Sequence, residues 1–141
     1  MGEPIFNFTG YTINKLEYSK EPIEGFEQKE NDSDFGFTIE QGITEDLKEA
    51  KLTMSVQLES KEKDAFLFLE IDGFFDLNES MRINEKNEKR DVSEIQQLLV
   101  VNGIGIVYPY LRTIVSMISS LDSHQSIILP TLDLRSIGTK N

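Results

Sequence analysis

The stretch Val100–Leu121 constrains the fold more than any other part of the chain. It is the least charged segment of a very acidic sequence. Its second half places Leu111, Ile114, Val115, Ile118 and Leu121 at helical spacing. The intervening residues are hardly polar: Met117 is apolar, and Thr113, Ser116, Ser119 and Ser120 are small. A helix with so little charge around its circumference is expected to be buried on more than one side. One sheet from a chain of 141 residues cannot enclose it. The simplest second cover is another copy of the same helix.

The segments before it read as strands. Ile5 to Tyr18 alternates, with Tyr11 and Ile13 on one parity and Leu16 and Tyr18 on the other. The change of parity near Asn14 and Lys15 predicts a bulge. Lys20 to Ser33 is polar, holds Pro22 and Gly25, and has one apolar anchor, Phe26, so it reads as a crossover loop. Asp34 to Ile43 sets Phe35, Phe37 and Ile39 on one face, and Ala50 to Leu58 repeats the pattern. Ala65 to Leu77 is the fourth strand, with Leu67, Leu69 and Ile71 opposite Phe66, Phe68, Glu70 and Asp72, and Gly73 is expected to break its register. The result is an α+β chain: a four-stranded antiparallel sheet with a long helix packed on one face, in a single domain spanning 1–141. The other face of the sheet is expected to be largely polar.

The helix can begin at Asp91 or Ser93, with Val92, Ile95, Leu98 and Leu99 on one side. Gly103 and Gly105 suggest close backbone approach or a break. Pro109 either kinks one long helix or opens a second. Beyond Leu121, Ile127 to Leu134 is apolar with Pro130 inside it, which favours an extended arm.

The net charge is −11, and all of it lies in the first 91 residues. Such an acidic face repels nucleic acid and anionic lipid. Without cysteine there are no disulfides or thiolate metal sites. Residues 95–111 carry no charge, but Asn102, Gly103, Gly105, Pro109 and Arg112 count against membrane insertion. With no secretory signal at the amino terminus, a cytoplasmic location is expected.

Little chemistry is on offer. His124 stands in a loop with no second imidazole, so no metal site is expected. Glu70 and Asp72 read as solvent-facing strand positions. Gly103-Ile-Gly105 lacks the third glycine of a nucleotide loop. No catalytic set assembles, and a non-enzymatic protein without a cofactor is expected. What stands out is apolar surface without an obvious mate, which in a soluble protein marks an interaction site.

The segment Asn102-Gly-Ile-Gly-Ile-Val-Tyr-Pro-Tyr-Leu-Arg112-Thr-Ile-Val-Ser-Met, followed by Ile128-Leu-Pro130-Thr-Leu-Asp-Leu134, resembles the signature of the SecB export chaperones. Ala65-Phe-Leu-Phe-Leu-Glu-Ile-Asp-Gly-Phe-Phe75 is similar to that family's fourth strand. The resemblance implies a dimer of dimers that uses no ATP and holds non-native or pre-secretory polypeptides soluble and competent for export. It implies a client groove formed by Phe26, Phe35, Phe37, Ile39, Ile127, Ile128, Leu129, Leu132 and Leu134, with affinity from apolar burial and strand addition. The uncharged helix then supplies the oligomer interface through Ile106, Tyr108, Tyr110, Leu111, Ile114, Val115 and Ile118. SecA would be the implied motor partner, but two departures count against it. The family's terminal helix and tail have no counterpart beyond seven residues after Leu134, and Phe68 stands where the family has a docking acid. A chaperone dedicated to one antitoxin, or an oligomeric adaptor of the same fold, is the alternative.

Overall fold

The structure is a computed structural model that describes residues 6–24, 35–60, 63–79, 83, 86, 88–122 and 127–130. Four strands, β1 (Phe6–Ser19), β2 (Phe35–Ile43), β3 (Glu49–Ser60) and β4 (Ala65–Leu77), precede one long helix, α1 (Val92–Ser120). The strands form one antiparallel sheet in the order β1-β4-β3-β2. β2, β3 and β4 are successive neighbours, and β1 lies against the far side of β4. Glu49 and Thr44 close the β2–β3 turn, where Asp46 Oδ1 accepts from Lys48 N at 3.0 Å and from Thr44 Oγ1 at 2.6 Å. Those bonds, the Thr44 one first, hold the Asp46 carboxyl below its ordinary value.

Alternation decides which side chains meet the helix. Leu52, Met54 and Val56 of β3 and Leu67, Leu69 and Ile71 of β4 are fully buried on one face. Burying each such side chain contributes roughly 1.5–3 kcal/mol. The alternation of β4 runs straight through Gly73 to Phe75 and Leu77, and its register with β3 is unbroken there. Gly73 therefore does not break the strand; its role is to admit the helix. β1 does shift register between Ile13 and Lys15, as its change of parity requires, and again between Phe8 and Gly10.

The opposite face is polar at its margins and satisfied at its centre. Asp72 is only 8% exposed and accepts a hydrogen bond from Thr53 Oγ1 at 2.5 Å, so it is not the solvent-facing carboxylate that alternation suggested. Thr38 and Ser55 share a hydrogen bond across the next strand pair, and Asn14 donates to Glu70 at 3.1 Å. Phe66, Phe68 and Phe74 share the parity of Glu70 and Asp72 along β4 and are half-buried.

Asp91 takes an extended conformation at the N-cap of α1 without making a side-chain cap bond. The helix runs through Pro109 as one element, so proline neither ends it nor opens a second. The residue one turn before is Gly105, whose carbonyl has no proline N–H to receive. Ile95, Leu99, Ile104, Val107, Leu111 and Val115 form the stripe that faces the sheet, each at 0% exposure.

Candidate functional site

The site is built on the side of α1 that faces away from the sheet. Gly105, Pro109, Thr113, Met117 and Ser120 recur there at helical spacing and are exposed. None is charged, and only Met117 is large and apolar. Beside this face runs an extended arm, residues 127–130. Ser119 anchors the start of the arm. Its side chain is 0% exposed, its Oγ donates to the Val115 carbonyl at 2.8 Å, and it accepts the Ile127 N–H at 2.6 Å. Tyr108 anchors the end by donating its hydroxyl to the Pro130 carbonyl. Its ring meets Phe37 of β2 edge-on at 5.8 Å between centroids, and burial pushes its hydroxyl pKa up against the opposing pull of the Arg112 charge.

Between these two anchors the arm follows the two-residue period of extended chain. Leu129 turns inward and is 2% exposed; Ile128 turns outward and is 66% exposed. The arm and the helix thereby enclose a groove of about 620 Å³, lined by Ile104, Tyr108, Pro109, Arg112, Met117 and Ile128 with the small residues between them. Arg112 is half-buried and, among the described residues, is the only charged one in that lining.

A second cluster holds the top of the helix to the sheet. Lys63, from the β3–β4 turn, donates to the carbonyls of Ser119 at 3.1 Å and Asp122 at 2.5 Å. The Ser119 carbonyl lies in the last turn of the helix, where it also accepts the Asp122 N–H at 3.2 Å. Lys20 pairs with the Asp122 carboxylate, and Tyr18 donates to it at 2.7 Å. The Lys20 bond, and then the Tyr18 bond, hold the Asp122 carboxyl below its usual value. Burial, followed by the bond to Asp122, pushes the Tyr18 hydroxyl up to about 12. The cluster fixes where the chain leaves α1 and so where the arm begins.

The structure divides the residues expected to bind a client. Phe37, Ile39 and Ile127 are half-buried and pack against the chain's own core, and Leu129 belongs to that core. Ile128 alone of the described set opens fully into the groove. Phe35 lies at the start of β2, and its side chain is outside the described residues, as are Phe26, Leu132 and Leu134.

The helix residues expected at an oligomer interface divide as well. Leu111, Val115, Ile114 and Tyr108 are buried against the sheet of the same chain, and Ile106 and Ile118 pack beside them. Tyr110 is 39% exposed on the β1 side, where its ring lies 5.4 Å from Phe8 and 4.8 Å from Tyr11. The periodicity found the buried side of the helix without telling what covers it. Arg112, Met117 and the small residues of the outward side were not singled out as lining. Their signal was the same helical period, displaced from the apolar stripe.

Among the described residues no cluster of acids and imidazoles could hold a metal, and His124 lies outside them. Gly103-Ile104-Gly105 is helix, with Gly103 facing the sheet. α1 is long and apolar enough by composition to cross a membrane, yet one whole side of it forms the core of this domain.

No protein-family model and no curated protein sequence matches the chain. Solved structures do. The fold is similar to that of the SecB-like chaperone Rv1957 of Mycobacterium tuberculosis, solved in complex with a ChAD peptide from the HigA1 antitoxin Rv1956. The TM-score is 0.66 over 91% of this chain and 88% of that one, at 14% identity. It is also similar to a protein of unknown function from Streptococcus agalactiae, with a TM-score of 0.54 over 89% of this chain and 97% of that one, again at 14% identity. The likeness that began at Tyr108–Arg112 thus extends to the fold: a SecB-like sheet and helix.

Proposed function

We propose that this chain is a divergent SecB-like chaperone, a holdase that binds non-native polypeptides without ATP and without catalysis. One observation carries the reading: on a SecB-like fold, an open groove bears exposed Met117 and Ile128, and the arm forming its wall is anchored at both ends. A pre-formed apolar groove holds a flexible chain at little cost in its own ordering. Binding by apolar contact tolerates many sequences, and Met117 adapts its shape to what it meets.

The chain works in this reading as a cytoplasmic homo-oligomer. Its self-contact is placed on the β1 flank, where Tyr11, Ile13 and Tyr110 are exposed beside an edge strand. A dedicated client is the second reading. It is favoured by the antitoxin peptide bound to the structurally similar chaperone of M. tuberculosis. Delivery of clients to SecA is not part of the proposal, because Phe68 stands where the docking acid would be.

The test is light scattering of a slowly refolding client with increasing amounts of this protein and no nucleotide. Suppression near stoichiometric amounts is expected of a general holdase. Suppression confined to one co-expressed aggregation-prone partner supports a dedicated one. A well-folded protein that suppresses neither overturns the proposal.

A further inference from the structure

α1 ends on cations that it does not itself supply. Its last turn carries no basic residue, although the carboxyl end of a helix favours a nearby positive charge. Lys63, from the turn before β4, and Lys20, just after β1, stand there instead. Lys63 Nζ donates to the carbonyls of Ser119 at 3.1 Å and Asp122 at 2.5 Å. Lys20 Nζ donates to the Lys63 carbonyl at 2.9 Å and pairs with the Asp122 carboxylate, which also accepts from the Tyr18 hydroxyl at 2.7 Å. The end of β1, the β3–β4 turn and the end of α1 are thereby joined in one network.

Capping does not require it. The backbone already closes the helix, with the Leu121 N–H on the Ile118 carbonyl and the Asp122 N–H on the Ser119 carbonyl, each at 3.2 Å. Apolar packing does not set the last residues either. It stops at Ile118, which is partly buried against the core, and Leu121 beyond it is 79% exposed. What the network does fix is Ser119. Lys63 holds the carbonyl of that residue, while its hydroxyl donates to the Val115 carbonyl and accepts the Ile127 N–H at 2.6 Å. Hydrogen bonds weaken steeply as they bend. The first anchor of the arm therefore depends on how the last turn of α1 is set against the sheet. Bonds from an ammonium group are the stronger kind, so Lys63 is the member best able to set it.

We propose that Lys63, steadied by Lys20, is a positioning residue for polypeptide binding: acting through Ser119, it holds residues 127–130 in the place where a bound chain meets them. The proposal rests on the polypeptide-binding reading above and adds to it two lysines that do not themselves line the groove.

The variants are Lys63→Met, which keeps an unbranched stem and removes the charge, and Lys63→Arg, which keeps the charge. The probe is an amidated peptide, Ser-Leu-Ser-Phe-Ser-Leu-Ser-Phe-Ser, with fluorescein on its amino end. Its affinity is read by fluorescence anisotropy well below the melting temperature of each variant. Lys63→Met is expected to bind about tenfold more weakly than the parent, because only molecules with the arm in place bind, and Lys63→Arg to stay within about twofold of it. Amide exchange in Lys63→Met should quicken at Ile127 and stay as in the parent at Leu69 and Ile71 of β4. A residue that merely stabilises the fold would lower the melting temperature and leave the affinity of the folded protein unchanged, and that result overturns the proposal. So does weaker binding without faster exchange at Ile127, or a loss in Lys63→Arg as large as in Lys63→Met. If Lys63→Met does not fold, Lys20→Met carries the test, since the Lys20 side chain is 54% exposed. It is expected to bind about threefold more weakly with faster exchange at Ile127, and parent-like values in both overturn the proposal. A parent that does not bind the peptide overturns it as well. If that parent still suppresses client aggregation, the holdase reading stands; if it does not, both fall.

Discussion

The Cγ2 methyl of Val107 occupies the space in which a side chain on Gly73 would begin. A Cβ on Gly73 would stand 2.5 Å from that methyl, and Val107 is fully buried. α1 therefore rests on β4 at a distance that only glycine allows. Gly73→Ala is expected to destabilise the fold by about 1–3 kcal/mol through overpacking. Val107→Ala in the same chain should recover part of that loss, which a double-mutant cycle by denaturant unfolding would show. Gly103→Ala makes a useful contrast. Its Cβ would meet the terminal Leu52 Cδ2 at 2.9 Å, a group that can turn aside. Alanine also gains about 1 kcal/mol in helix propensity. The Gly103 variant should lose less than the Gly73 variant, and the reverse order would mean the helix is seated elsewhere.

Ser119 and Tyr108 hold the two ends of the arm, and each can be tested by removing one oxygen. Ser119→Ala leaves the Ile127 N–H without its acceptor, with an expected loss of about 1–3 kcal/mol. Tyr108→Phe keeps the ring against Phe37 but frees the Pro130 carbonyl, with a loss of about 1 kcal/mol. Both variants should speed amide exchange at Ile127 and Leu129 while leaving the protection of β3 and β4 unchanged. Uniform loss of protection would show that the arm is not a separately anchored unit.

The Tyr18–Asp122 pair sets both pH limits of the helix end. The Asp122 carboxyl is held low, so its ionised form favours the folded state. That contribution is present above the ordinary carboxylate value of about 3.9 and is lost as pH falls through the lowered value. Tyr18 has the opposite sign. Its hydroxyl keeps its proton up to about 12 in the folded chain, whereas an unfolded tyrosine releases it near 10. The Tyr18 contribution is therefore complete below about pH 10 and lost as pH rises toward 12. The melting temperature of the parent should fall more steeply across that alkaline window than that of Tyr18→Phe. Parallel curves would remove Tyr18 from the account.

Ile128→Asp and Met117→Asp put charge on the two most open apolar residues of the groove, at 66% and 57% exposure. Neither contributes to the core, so stability should change by no more than about 0.5 kcal/mol. Suppression of client aggregation should drop several-fold in each. Full suppression by both variants would place the client somewhere other than this groove.

Much of the fold is legible in the residues because two-residue alternation leaves few choices. β2, β3 and β4 follow from it almost residue by residue, and the parity change at Asn14 and Lys15 marks a real irregularity in β1. Gly73 misleads because a strand glycine signals either a bulge or a close approach, and only the partner decides which; here it is Val107. Asp72 misleads because alternation assigns a side to a polar residue but not a neighbour, and here Thr53 donates to it across the strand pair. Leu111, Ile114 and Val115 were legible as buried, but hydropathy cannot distinguish a sheet of the same chain from a helix of another. The groove was hardest to see. Gly105, Pro109, Thr113, Ser116 and Ser120 are small and uncharged, so they carry no hydropathic signal, and the arm that turns them into a groove is held by single hydrogen bonds.

The strand order has a consequence for how the chain is made. Among the described strands β1 pairs with β4 alone, and the Tyr18–Leu67 and Phe8–Phe75 pairs join residues far apart in the sequence. During synthesis from the amino terminus, β1 emerges first and has no partner until β4 follows. β2, β3 and β4 close locally as they appear, and α1 arrives after all of them. β1, made before the other three strands, is thus among the last of them to be paired, and until then its Phe8, Tyr11, Ile13 and Tyr18 are open to any other unpaired strand. On the ribosome, this chain is briefly the same kind of aggregation-prone polypeptide that its groove is proposed to hold.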